Sequence, residues 1–388
     1  MNLETQDIMN IFFCITTLIF IAIFSKFIFL RLNISKWIPL PKRKSNIDGL
    51  RGYLAILVIF HHFSLTYYWL VLGEWKAPSE LYFQNFGKVG VGIFFIITGY
   101  LFIGKLIRNK FDISIKELMI SRCFRIMPLY FFAFVFIFLI VMLNTNFHFV
   151  VSVKEFFISI LRWFLFHGSK INQFEDTRRI IAGVDWTLKY EWFFYFSVPV
   201  IAFFFKINKV VSVSVVTAFV VYLFIFPIKL MAFTSIYFIL FLIGGWIYYF
   251  EFSVKNIILD NLFYNIIAIG LLFFAIFISN PFSILQILSI ALFFTLVVQG
   301  VSMFGLLKTE FSIFLGEISY GIYLLHGFIL FGLYQFLLIY SMNNISLTHY
   351  FYFLPLISFI VILIASLTYI YIEKPSMEYG KELRMKIN

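Results

Sequence analysis

The chain has 388 residues, of which 62% are hydrophobic, 22% aromatic and only 13% charged. A soluble domain carries about a quarter charged residues, so this composition excludes one. The surplus of 30 Lys and Arg over 19 Asp and Glu fits basic loops facing anionic membrane lipid, not a nucleic-acid partner. Apolar runs of roughly twenty residues recur along the whole chain, which predicts an all-α polytopic membrane protein. About eleven transmembrane helices are expected, at 8–30, 50–72, 89–107, 127–145, 190–206, 210–228, 231–250, 256–278, 282–303, 312–340 and 351–372.

The first run, Ile8 to Leu30, follows Glu4 and Asp7 rather than a basic segment and lacks a small-residue cleavage site. It reads as a retained span, not a signal peptide. Cys14 and Cys123 sit in an apolar run and beside a basic loop, which indicates no disulfide framework. Basic residues cluster at Lys36, Lys42, Arg43 and Lys44, at Arg108, Lys110, Lys116, Arg122 and Arg125, and in the tail at Lys374, Lys381, Arg384 and Lys386. An outside N-terminus and a cytoplasmic C-terminus put all of these inside, with Lys206 and Lys209, for a total of about twenty basic residues inside against about nine outside. One long outer segment, 146–189, remains. Within it Val150 to Phe166 is apolar but interrupted by Lys154, Glu155 and Arg162, the pattern of an interfacial or re-entrant helix. No tandem repeat, linker or attached soluble domain is evident. The expected organisation is an N-terminal helix and basic loop (1–45), one membrane domain (46–376) and a cytoplasmic tail (377–388).

Five stretches carry possible chemistry. In Asn46 to Tyr68, Arg51 and His62 are eleven residues apart, close to three helical turns, so they share a face about 16 Å apart along the axis. Ionisable side chains at membrane depth mark functional sites, and a neutral imidazole there suits a general base. His61 is turned about 100° away, whereas Asp48 lies near the Arg51 face. In Gly87 to Phe102, Gly90, Gly92 and Gly99 permit close helix approach, and Thr98 and Tyr100 add hydroxyls. In Ser121 to Tyr130, Arg122 and Arg125 share a face just before Pro128, which reads as a first-turn residue. Together they form either a phosphate clamp or snorkelling anchors. In Asp185 to Tyr195, Glu191 lies among Trp186, Trp192 and Tyr195, which suits sugar hydroxyls and stacking, or simply an aromatic interface belt. In Glu317 to Phe328, Tyr320, Tyr323 and His326 follow one another at three-residue spacing along one stripe. No His, Asp or Glu cluster has metal-ligand spacing, so no metal is expected.

Taken in order, these stretches resemble the membrane acyltransferase-3 family, which includes bacterial enzymes that O-acetylate lipopolysaccharide, peptidoglycan and other surface glycans. The family's arginine, ten residues, histidine element matches Arg51 and His62. F-F-x-x-[ST]-G-[YF] matches Phe94, Phe95, Thr98, Gly99 and Tyr100, and R-x-x-R matches Arg122 and Arg125. W-[ST]-L-x-x-E-x-x-F-Y matches Trp186, Thr187, Leu188, Glu191, Phe194 and Tyr195. S-Y-x-x-Y-L-x-H matches Ser319, Tyr320, Tyr323, Leu324 and His326, and the closing E-x-P element matches Glu373, Lys374 and Pro375. The resemblance spans roughly residues 46–376 and implies a ten-helix core, to which the 8–30 helix is appended. The family's frequent extracytoplasmic esterase-like domain is missing.

The resemblance implies an O-acyltransferase of the bacterial plasma membrane that moves an acyl group, most often acetyl, from cytoplasmic acyl-CoA to a hydroxyl of an external glycan. Arg122, Arg125 and Arg51 would hold the CoA phosphates. His62, on the Arg51 face, would act as general base or carry a transient acyl group. Trp186, Glu191 and Tyr195 would position the polysaccharide or lipid-linked acceptor from outside. Asp48, Thr98, Tyr100, Tyr320, Tyr323 and His326 would support the site, with Asp48 bracing Arg51. The rival from another class is a polysaccharide or lipid-linked-sugar flippase. Such transporters commonly show internal repeats, which are absent here.

Overall fold

Polar caps fix where many of the helices begin. Ser114, Ser152, Asn261, Ser283, Thr309 and Ser346 each accept the backbone N–H three residues on and open a helix. The computed structural model describes residues 3–31, 46–225, 229–230, 233–253 and 259–387. Its α-helices are α1 (Leu3–Arg31), α2 (Asn46–Leu72), α3 (Leu81–Arg108), α4 (Ile115–Asn144), α5 (Val153–Phe164), α6 (Trp186–Ile207), α7 (Lys209–Ile225) and α8 (Ser235–Ser253). They continue with α9 (Leu262–Phe277), α10 (Ile284–Val298), α11 (Glu310–Glu317), α12 (Ser319–Ile339), α13 (Leu347–Phe351), α14 (Leu354–Thr368) and α15 (Lys374–Ile387). The only strands among the described residues are the two-residue pair Lys229–Leu230 and Phe233–Thr234. Among the described residues, six helical segments are long and apolar enough to cross a membrane, and five shorter apolar helices accompany them. The chain is an all-α polytopic membrane protein, as its composition requires. The predicted basic residues Lys36, Lys42, Arg43 and Lys44 lie outside the described residues.

Three elements differ from the sequence expectation. Helix α4 begins at Ile115, because Ser114 caps it, so Arg122 and Arg125 lie within the helix and Pro128 is interior. The missing N–H at Pro128 removes one backbone bond, which the long helix tolerates. The span expected at 312–340 is broken at Ile318 into α11 and α12. Helix α11 lies along the start of α2, where the Tyr53 hydroxyl and Ser312 Oγ are 2.9 Å apart. The polar segment after α5 is packed rather than loose: Ile171, Ile180, Ile181 and Val184 are all at most 1% exposed. A 3₁₀ turn, Glu175–Ile181, meets α12 at Gly327, where a Cβ would sit 2.2 Å from the Ile181 carbonyl carbon. Helix α5 is amphipathic, burying Phe156 and Trp163 while exposing Val153, Phe157 and Leu161.

Close backbone approach joins α3 to α8. A Cβ at Gly99 would lie 1.8 Å from the Phe241 carbonyl oxygen, and one at Gly244 would lie 1.9 Å from the Ile96 oxygen. Each helix therefore supplies a glycine where the other's backbone arrives, the small-residue packing common between membrane helices. Gly99→Ala is expected to push the helices apart at about 1–3 kcal/mol or more. The detergent-solubilised protein should melt several degrees lower, whereas Gly270→Ala, with nothing within 4 Å, should leave the midpoint in place. Equal midpoints would show that this contact does not organise the bundle. Elsewhere Asn85 ties α3 to α9: its Nδ2 donates to the Ile276 and Ile278 carbonyls at 2.8 and 2.9 Å. Gln286 of α10 donates to Asn85 Oδ1 at 3.1 Å.

Candidate active site

A cavity of about 460 Å³ opens inside the bundle between α2, α3, α4, α6, α12 and α15. Arg51 and Asp48 reach it from α2, Thr98 from α3, and Arg122 and Arg125 from α4. Glu191 and Tyr195 enter from α6, Tyr320 and Tyr323 from α12, and Arg384 from α15. The structure thus gathers residues from all five sequence stretches around one volume.

Four guanidinium groups face this cavity. No ion pair within 4.0 Å joins Arg51, Arg122, Arg125 or Arg384 to a carboxylate among the described residues. Two of the nearby acids are engaged by tyrosines. Tyr195 donates to Glu191 at 2.7 Å, and Tyr369 donates to Glu317 at 3.0 Å. The carboxylates still act on the arginines at longer range, with Glu317, Asp48 and Glu191 all in electrostatic reach of Arg51. Arg122 lies over the Phe102 ring at 4.9 Å and the Tyr195 ring at 5.7 Å, and its Nε is buried without a hydrogen bond. Such cation–π contacts hold the flat group in place, and its Nη2 donates to Ser121 Oγ at 3.5 Å. Unpaired guanidiniums in a partly desolvated site favour an anionic ligand with planar or phosphate geometry.

The two histidines form a second, adjoining centre. His326 Nε2 is 3.1 Å from His62 Nδ1, His62 Nδ1 is 3.1 Å from the Val58 carbonyl oxygen, and His326 Nδ1 is 3.1 Å from the Ile322 oxygen. A carbonyl only accepts, so these bonds assign the proton to Nδ1 on both rings. His326 Nε2 is then bare and accepts from His62 Nδ1–H, which leaves the lone pair on His62 Nε2. That is the tautomer a general base needs. His326 is fully buried, whereas His62 keeps partial exposure. Neither ring lines the arginine cavity, but Tyr323 bridges the two centres. It lines the cavity, and its ring is 6.3 Å from His326.

Four expected residues stand elsewhere. Tyr100 points to the opposite side of α3 from Thr98 and donates to Glu251 at 2.6 Å. Trp186 packs on Tyr190 and Tyr237 and does not line the cavity. Glu191 and Tyr195 lie with the arginines rather than at a separate outer mouth. The reason is that α6 starts inside the bundle: Thr187 Oγ1 is 2.9 Å from the Tyr323 hydroxyl, and Asp185 is fully buried, paired with Arg178 at 3.1 Å. His61 serves packing, its Nδ1 donating to the Phe83 carbonyl at 2.9 Å. Sequence reasoning did not place Arg384 in the site, because a basic tail residue gives no signal that its helix folds back over a cavity. It also passed over Glu373 as a charged group, which is fully buried, has no hydrogen bond to either oxygen among the described residues and lies in reach of Arg125 and Arg51.

These features define a polytopic membrane protein with an anion-seeking chamber beside a polarised histidine pair. The chain belongs to acyltransferase family 3: its acyltransferase domain matches residues 44–372. It is therefore a membrane acyltransferase. The match leaves α1 and α15 outside it. No curated protein and no solved structure matches the chain.

Proposed function

We propose that the protein moves an acyl group, acetyl in the simplest case, from acyl-CoA to a hydroxyl of a cell-surface glycan. The observation that carries this reading is the set of unpaired guanidiniums at a cavity whose wall includes the histidine helix. Arg51, Arg122 and Arg125 bind the coenzyme phosphates, and the pantetheine arm runs past Thr98 and Tyr323 toward His62. Arg51 and His62 are about 16 Å apart along one helix face, a separation that an extended pantetheine spans.

His62 Nε2 takes the proton of the acceptor hydroxyl as its oxygen bonds to the thioester carbonyl carbon. The carbon–sulfur bond breaks, and the CoA thiolate recovers the proton. An acyl-imidazole on His62 is the two-step version of the same balance. His326 receives the His62 Nδ1–H throughout and steadies the transient imidazolium. Positive-inside bias supports a cytoplasmic arginine end and an outward acceptor end in a bacterial inner membrane. The acceptor is a polysaccharide or lipid-linked sugar that meets His62 through its partly exposed side.

Labelled acetyl-CoA supplied to one face of sealed membrane vesicles should lead to label in glycan at the other face. Release of CoA thiol should keep pace with it. Glycan that crosses unlabelled, with acetyl-CoA untouched, would make the protein a flippase instead.

A further inference from the structure

Helix α15 follows the last residue of the family match, 372. It is amphipathic and packs across the arginine turn of α4. A Cβ at Gly380 would sit 2.7 Å from Phe124 Cβ, and the Tyr379 and Phe124 rings are 5.5 Å apart. Met377 Sδ lies 3.0 Å from Arg125 Nη1. These contacts fix the helix one turn before Arg384, which lines the cavity. Its Nε donates to the Gly380 carbonyl, at 3.4 Å.

The cations around the cavity fall into two tiers. Arg51 and Arg125 act on one another and both reach the buried Glu373. Arg384 and Arg122 converge on Lys105 of α3 and are the leading charges acting on it, and Arg122, which also acts on Glu191 beside Arg51 and Arg125, joins the two tiers. Lys105 is solvent-exposed, and on α4 Arg122 is one turn nearer the helix start than Arg125, so the second tier is the one at the mouth. A coenzyme A molecule carries its anionic groups in two places as well: a pyrophosphate on the pantetheine side and a dianionic phosphomonoester on the ribose.

We infer that Arg384, with Arg122 and Lys105, forms a phosphomonoester subsite at the mouth that reads the ribose 3′-phosphate of the donor. This rests on the acyl-CoA reading above. The order follows from reach. The tier on the histidine helix lies nearest the end of the pantetheine and takes the pyrophosphate. The mouth tier then meets the ribose. Two guanidinium forks and an ammonium suit a compact dianion, since each fork can give two parallel N–H bonds to phosphate oxygens. An anionic lipid headgroup offers the same phosphate chemistry at this end of the bundle, so the test separates the two sources.

The test is calorimetric titration of the full chain in neutral detergent with CoA and with dephospho-CoA. Wild type should bind CoA about tenfold or more tightly than dephospho-CoA, the effect of one charged hydrogen-bonded group. Arg384→Ala should weaken CoA about tenfold and leave dephospho-CoA unchanged, so that the preference collapses. Arg384→Lys should fall between, keeping charge without the fork. Lys381→Ala, an exposed cation of the same helix, should change neither affinity. Equal weakening of both coenzymes by Arg384→Ala would make α15 a structural cover and overturn the subsite, as would no weakening at all. A loss seen only in nanodiscs containing phosphatidylglycerol, and not in phosphatidylcholine or detergent, would assign Arg384 to lipid and overturn it too. Wild type that binds neither coenzyme would instead remove the donor reading on which the subsite depends.

Discussion

His62→Ala should abolish acyl transfer while the protein accumulates in the membrane at wild-type levels. General base catalysis by a positioned imidazole contributes about 10²–10⁴-fold, and His61, held by the Phe83 carbonyl, packs against Gly87 of α3 instead of sharing the His62 position. His326 Nε2 is fully buried and already accepts from His62. His62 is only partly buried and sits beside a ring that keeps its own backbone bond, so truncation leaves a small, partly open space rather than a core void. Folding should survive. His62→Gln sharpens the test, since its amide can still donate to His326 but offers no basic nitrogen. Both variants should be inactive in the vesicle assay with normal membrane yield. Transfer close to wild type in either would remove His62 as the base. Changes at His326 should cost less. In His326→Leu the His62 Nδ1–H keeps the Val58 carbonyl as acceptor, so the tautomer holds and only the support for the imidazolium is lost.

Much of this arrangement was legible because membrane-spanning helices announce themselves by length and apolarity, and helical periodicity then orders their polar residues. Arg51 and His62 were placed on one face by the 3.6-residue repeat, and α2 runs unbroken through both. The same arithmetic shows where reading a motif as a block misleads. Thr98 and Tyr100 are two residues apart, so a helix turns them about 200° from one another and only one can face the cavity. Trp186 lies about 140° from Glu191 by the same count.

Other features had no local signal. The break at Ile318 falls within a continuous apolar run, and it is set by α11 packing along α2. Pro128 reads as a helix start, but the Ser114 cap, acting fourteen residues earlier, overrides it. The polar look of 167–185 concealed Ile171, Ile180, Ile181 and Val184, which fold that segment inward and carry the start of α6 with it. That inward fold is why Glu191 meets arginines instead of solvent. Arg384 depended on tertiary docking of α15, which a count of basic residues in a tail does not contain.

Arg122→Ala combined with Arg125→Ala should separate donor binding from everything else the chamber does. Hydrogen bonds to charged groups contribute about 1.5–3 kcal/mol each. Losing one strong bond from each arginine should therefore raise the acyl-CoA KM by about 10²–10⁴-fold. The acceptor KM should stay where it was, because the acceptor meets the chain at His62. Lysine is not an adequate replacement: Arg125→Lys keeps a positive charge but not the planar fork, and should recover only part of the affinity. Stability supplies the control. In the protein without donor, these guanidiniums have no ion-pair partner within 4.0 Å among the described residues, and partly desolvated cations held close together oppose folding. The double variant should therefore melt no lower than wild type without ligand, and it should lose the upward shift that CoA gives wild type. A structural role would produce the reverse, a lower midpoint without ligand and a preserved CoA shift. A change confined to the acceptor KM would move the anion in this chamber from donor to acceptor and overturn the phosphate assignment.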